Sequence, residues 1–368
     1  MHVDFAGRAT LEVADPDPRL ASEFGVLVDP YVPESGASRE APDVLVRVAP
    51  RRPLVEVHRR AQDGLVTGWD GAALHVFHGD KTCTVPSAGE PLDFVYERGF
   101  PLASVFRRYV RPGVQMAMWR HGAVCAHACG VVVAEDGMLV AGWSETGKTE
   151  TALALMEKGA RFVSDKWTIL GSDARISTFP ITAGIRRWVL SALPTLRSSL
   201  PWRARCQFGA SAAVDAASGA LRHLPARVVA GPRRLAEQAV LLADRAALTP
   251  SQLLTAYGDE PRPKVGVPLS LVVLLTTVQE KSLSARRVDP EWAAGRLAAS
   301  AAHERRFFFE LDARRRYSAG PTNVQAVAVE HREREFLLAA LQGLPILEVR
   351  TPFPTDPRPV AELVLQEL

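Results

Sequence analysis

The chain has no apolar stretch approaching the ~18 residues that a membrane-crossing helix needs. Its N-terminus, with His2, Asp4 and Glu12, lacks the basic segment and hydrophobic core of a secretory signal, so a cytoplasmic protein is expected. Cysteine is scarce. Four in 368 residues build no disulfide framework, and Cys83 and Cys206 stand isolated. Charge of one sign is not in excess either: 44 basic and 41 acidic residues leave a net +3, which argues against nucleic acid as the main partner. The basic runs Arg314-Arg315-Arg316 and Arg233-Arg234 are short, carry no interleaved aromatics and read as solvated faces. There is no internal repeat and no low-complexity tail. The composition that remains, 47% hydrophobic over 368 residues, is that of a folded protein with enough core for two domains.

Against that background one segment stands out. Gly142-Trp143-Ser144-Glu145-Thr146-Gly147-Lys148-Thr149 fits the G-x-x-x-x-G-K-[ST] phosphate-binding (Walker A) loop at every required position. The glycines let the backbone wrap a phosphate with N–H groups pointing inward. Lys148 reaches the terminal phosphates, and the Thr149 hydroxyl joins a Mg²⁺ shell. The flanks agree. Gly130 to Ala134 and Met138 to Ala141 are short apolar runs around Asp136-Gly137, a hairpin signal, so a strand is expected to feed the loop. After it, Ala152, Leu153, Leu155 and Met156 recur at helical spacing, with Lys158 and Gly159 as a stop. The alternative is a Gly-Lys-Thr turn that merely opens a helix.

Arg161-Phe162-Val163-Ser164-Asp165 then reads as a buried strand ending in a carboxylate, which makes Asp165 the metal candidate beside Thr149. A turn or helix cap is the other reading of such an aspartate. His121, Cys125, His127 and Cys129 also cluster in sequence, and on one strand the last three share a face, so a Zn²⁺ site is conceivable.

Gly147-Lys148-Thr149-Glu150-Thr151-Ala152-Leu153-Ala154-Leu155, followed by Lys158 to Asp165, resembles the HPr kinase/phosphorylase pattern, whose Glu-Thr-Ala-Leu continuation a generic phosphate loop does not require. The resemblance covers about residues 121 to 170. It implies an α/β fold: a P-loop kinase domain of the HPr kinase/phosphoenolpyruvate carboxykinase type, behind a β-rich N-terminal domain. It also implies a catalytic role for His127, at the family's interval before the loop, and for Lys148 and Asp165. Two departures are visible. Where the family has a pair of aspartates, Asp165 is followed by Lys166, which is expected to point into the site and stabilise developing charge. The family's arginine-bearing strand has at best a degenerate counterpart in Phe179 to Arg187, so Arg186 and Arg187 are weak candidates for phosphate.

The boundaries that follow are a β-rich domain over 1–112 and a P-loop domain over 113–368 with a helical insertion at about 195–263. Val44–Val48, Leu54–His58 and Ala73–His78 are expected strands. Pro101–Trp119 is expected as a helical connection interrupted near Pro112-Gly113, and Tyr257–Pro263 as an exposed loop. Leu269–Leu275 should return as a buried strand and Glu330–Leu341 as the terminal helix. The expected function is an ATP-dependent kinase using Mg²⁺, with a hydroxyl acceptor on a protein, a peptide or a small molecule. A non-catalytic nucleotide-binding module, an ATP hydrolase and a carboxyl-activating enzyme are the alternatives. No membrane partner is expected, and a homo-oligomer stays open.

Overall fold

Short runs in the N-terminal third, with β-branched and aromatic residues set between turn residues, fold into an eight-stranded mixed sheet. Leu92–Tyr96 shows the pattern: Phe94 and Tyr96 are buried while Asp93 and Val95 are half-buried. Its order is His2–Asp4, Thr10–Ala14, Val44–Val48, Leu92–Tyr96, Lys81–Val85, Leu74–His78, Leu65–Trp69 and Arg60–Gln62. The expected strands at 44–48 and 74–78 are present. The computed structural model describes every residue except 17, 30–40, 51–59, 63–64, 71–72, 87–88, 222–243, 281, 320–324 and 353. The expected strand Leu54–His58 and the pair Arg233-Arg234 lie outside the described residues.

The second sheet carries the phosphate-loop segment. It has nine strands, and at its centre Asp136–Gly142 runs parallel to Val267–Thr277, which runs parallel to Ile346–Thr351. These strands read as near-continuous apolar runs because both faces are covered. Lys148–Glu157 and Pro357–Gln366 pack on one face through Leu153, Leu155, Val360 and Val364. Pro290–Glu304 and Gln325–Leu341 cover the other through Ala294, Leu297, Leu337 and Leu341. A third core joins the N-terminal sheet to residues 102–118 and reaches Cys125 of the second sheet and Trp167 and Phe179 in the connections between its strands. No helix of the described residues is long and apolar enough to cross a membrane.

Several expectations are corrected. The hairpin before the loop turns at Ala134-Glu135, since Val133 pairs with Asp136; Ala134 takes φ +54°, and Asp136 and Gly137 belong to the strand. Gly137 serves a close approach instead, because a Cβ there would meet the Pro268 carbonyl at 2.6 Å. The path from Ala103 to His121 is helical throughout, with one wider turn over Phe106–Val110. Pro112 sits in the first turn of Arg111–Ala117, where the chain tolerates proline. The segment after Pro194 is helical over Pro194–Ser199, Trp202–Leu221 and Pro250–Ala256, but it also supplies a strand, Arg245–Leu248, paired with Ala183–Arg186. The helix at 330–341 extends over Gln325–Leu341 and is not terminal, for Ile346–Thr351 and Pro357–Gln366 follow. Tyr257–Pro263 is a loop and Leu269–Leu275 lies within a long buried strand, as expected.

Candidate functional site

The loop leaves the C-terminal end of the central strand, the edge at which α/β sheets place their ligands. Its backbone needs glycine twice. Gly142 has φ +153°, and a Cβ there would lie 2.5 Å from Thr146 Oγ1 and 2.8 Å from the Leu275 carbonyl. Gly147 turns left-handed at φ +91° and delivers the chain into the helix Lys148–Glu157, whose N-terminus no side chain caps. Its first N–H groups and the positive end of its dipole are therefore available to an anion. Thr146 Oγ1 donates to the Trp143 carbonyl at 2.9 Å and closes the loop. Lys148 is buried, and its Nζ donates to the carbonyls of Gly142 at 2.9 Å and Trp143 at 2.7 Å. Burial lowers its pKa, with Cys129, Asp165 and Glu304 opposing. The lysine is thus folded into its own loop, and reaching a phosphate exchanges two neutral acceptors for charged ones.

Asp165 lies buried against the hydroxyl of Thr149. It is 4% exposed at the end of Arg161–Ser164, and its Oδ1 accepts from Thr149 Oγ1 at 2.7 Å and from Cys129 Sγ at 2.9 Å. The hydroxyl and carboxylate expected to share a Mg²⁺ shell therefore touch. Burial and the adjacent carboxylate drive the Cys129 thiol well above its ordinary pKa, so it stays a neutral donor.

Lys166 follows with φ +61°, a conformation uncommon outside glycine and asparagine, and its ammonium lies 2.7 Å from Glu304 Oε2. It points towards the site, but onto a carboxylate that the sequence reading did not include. Glu304 ends the helix Pro290–Glu304. Its Oε1 accepts from Ser144 of the loop at 2.9 Å and lies 3.8 Å from His127 Nε2. Burial raises its pKa, but the Lys166 ammonium and the Ser144 hydroxyl outweigh burial and hold it down to about 2. The helix itself was legible, in Asp289 before Pro290 and the alanine-rich run that follows. Its arrival at a loop 160 positions earlier was not.

His127 sits between Ala123–Ala126 and Ala128–Val133, 2% exposed, with Nδ1 2.7 Å from Ser300 Oγ and its ring 5.1 Å from that of Trp167. Nε2 is the ring nitrogen turned to the site. Burial, reinforced by the Lys148 cation and partly opposed by Glu304, holds its pKa far below the ordinary histidine value. The imidazole is neutral at pH 7. The unfolded chain then binds a proton below pH ~6.5 that the folded one refuses, so stability rises with pH across that range. As the pH falls below ~6.5, His127 should cost about 1.4 kcal/mol of stability per pH unit. Denaturant unfolding at pH 7 and 5.5 checks this: His127→Gln should lose less stability on acidification than the wild type, and equal losses would place the proton elsewhere.

The other candidates separate. Arg186 reaches Glu145 of the loop at 3.4 Å, whereas Arg187 is held by Asp215 at 3.0 Å and Asp244 at 3.1 Å and is structural. Trp143 is exposed and lies 4.8 Å from the His303 ring. The zinc expectation fails because the strand is broken at His127. His121 bonds Asp43, Cys125 bonds Met118, His127 bonds Ser300 and Cys129 bonds Asp165, and no three potential ligands converge among the described residues.

The arrangement holds an uncapped helix N-terminus, a recoiled lysine, a hydroxyl–carboxylate pair for a hard cation, and across the loop a carboxylate between an imidazole and an ammonium. Neither the protein-family models nor the curated proteins searched match the chain.

Proposed function

We propose that the chain is an ATP-dependent phosphotransferase of the HPr-kinase-related type, passing a phosphoryl group to a hydroxyl acceptor with Mg²⁺ held by Thr149 and Asp165. The observation that carries this reading is the contact of Thr149 with buried Asp165 directly beneath a glycine-turned loop that holds Lys148 on its own carbonyls. The bound cation supplies Lewis-acid neutralisation of phosphate charge.

The residues then divide the work. Gly142 to Thr149 wrap the phosphates, and Lys148 leaves its carbonyls to follow the transferred group. The acceptor oxygen bonds to the γ-phosphorus as the bond to the β-phosphate oxygen breaks, and ADP leaves. Glu304, ion-paired to the Lys166 that stands where the resemblance expects a second aspartate, takes the hydroxyl proton. Lys166 and the Ser144 hydroxyl hold that carboxylate in position. Most of the rate in such a reaction comes from positioning and charge stabilisation, so a carboxylate delivered by a different element suffices.

One observation favours a second reading, a nucleotide-binding module without transfer: Lys166 clamps Glu304 in an ion pair that makes it a weak base. Product analysis separates the two. Mass spectrometry after incubation with Mg-ATP and candidate acceptors should show ADP with an acceptor heavier by one phosphate. ADP with free phosphate alone means hydrolysis, and nucleotide bound without turnover means a module.

A further inference from the structure

The helix Arg111–Ala117 carries a polar cluster that the transfer step leaves unused. Arg111 is 2% exposed, and its guanidinium carbon lies 5.5 Å from the centre of the Trp167 ring. Gln115 follows one turn later, fully buried, so both side chains leave the helix on one face. Arg111 Nε, Gln115 Nε2 and Oε1, and Trp167 Nε1 are all buried and have no hydrogen-bond partner. All but the Gln115 oxygen are N–H donors.

Arg305 provides the contrast. Its guanidinium lies 5.7 Å from the same indole, equally buried, and it is matched by Glu333 at 2.6 and 2.5 Å. One indole thus contacts two buried arginines, of which one has its carboxylate and the other forms no ion pair among the described residues. Glu304, the acid that acts most on Arg111, is already bonded to Lys166 and Ser144. Burial draws the Arg111 guanidinium down to about 10, which leaves it charged at neutral pH. A buried cation without its counter-ion is costly to keep, and a ligand that supplies the anion removes the cost.

The cluster borders the candidate site. Trp167 lies 5.1 Å from His127, and both His127 and Glu304 are within electrostatic reach of Arg111 and of Lys148. We propose that Arg111, seated on the Trp167 ring, and Gln115, one helical turn along the same face, form a subsite for an anionic group carried by the hydroxyl compound that accepts the phosphoryl group, an inference that rests on the transfer reading above. The anion is a carboxylate or a phosphate ester, both of which take a guanidinium and an amide donor together. The acceptor is then an anionic hydroxyl compound, held by that charge while its hydroxyl faces Glu304.

Thermal-shift titration of the full chain tests this with three probes that share a hydroxylated three-carbon frame: glycerol 3-phosphate, glycerate and uncharged glycerol. Lys148→Ala is the background, so that the phosphate loop does not contribute. One anionic probe should raise the melting midpoint while glycerol does not, and the probe that does so identifies the anion. Adding Arg111→Gln should raise the concentration for half-effect at least tenfold, and Arg111→Lys should recover part of the affinity. Because Arg111 has no counter-ion to lose, Arg111→Gln should melt no lower than its parent. Absence of any anion-dependent shift, an equal shift in the Arg111→Gln variant, or failure of both Arg111 variants to fold overturns the subsite. A Mg-ATP titration of the wild type runs separately: its failure sinks the transfer reading, whereas failure of the anion arms alone leaves that reading intact.

Discussion

Glu333→Ala should lower the unfolding free energy by about 3–5 kcal/mol, because it strands the buried Arg305 guanidinium without the one carboxylate that pairs with it among the described residues. Both side chains are 0% exposed, and Arg305 Nη2 donates to both Glu333 oxygens at 2.6 and 2.5 Å. The pair ties the end of Pro290–Glu304 to Gln325–Leu341, and Arg305 directly follows Glu304. Loss of the pair therefore loosens the carboxylate that meets the phosphate loop. Urea unfolding measures the change. A loss below ~1 kcal/mol would mean that the pair is solvated, as surface ion pairs are. The double replacement Arg305→Met with Glu333→Leu should recover much of the loss, since apolar side chains of similar size often replace a buried pair without penalty.

Asp165→Asn should cut Mg-ATP-dependent turnover by at least about a hundredfold, because it removes the buried charge proposed to hold the cation and leaves the shape unchanged. The amide keeps an oxygen for Thr149 and Cys129, so the fold should survive. The informative control is nucleotide binding with and without Mg²⁺. Wild type should prefer Mg-ATP, whereas Asp165→Asn should bind both forms alike. Retention of Mg²⁺ preference and of turnover in the variant would remove Asp165 from the cation site.

The sequence made the loop and its flanks legible because local rules set them. The two glycines, Lys148 and Thr149 are fixed by backbone torsions and phosphate geometry, and they lie within one short segment. Asp165 was legible for the same reason, as the next strand end in line. Asp136-Gly137 misled because turn propensity is local while the demand on Gly137 is tertiary: the Pro268 carbonyl leaves no room for a Cβ. The role of Lys148 was legible but its burial was not, since that depends on how the loop folds the side chain back onto its own carbonyls. Glu304 and Arg111 were illegible. Glu304 arrives on a helix far along the chain, and Arg111 on a helix that leads into the sheet. Arg111 takes its meaning from its packing on Trp167, and Glu304 from its contacts with Lys166 and Ser144.

The most direct measurement is the thermal-shift response to Mg-ATP of wild type against Lys148→Ala. A phosphate-loop role requires Mg-ATP to raise the wild-type midpoint, by the equivalent of about 2.7 kcal/mol at a hundredfold excess over Kd, with little or no response in Lys148→Ala. Equal stabilisation of the two proteins, or none in the wild type, would contradict a nucleotide site at Gly142 to Thr149.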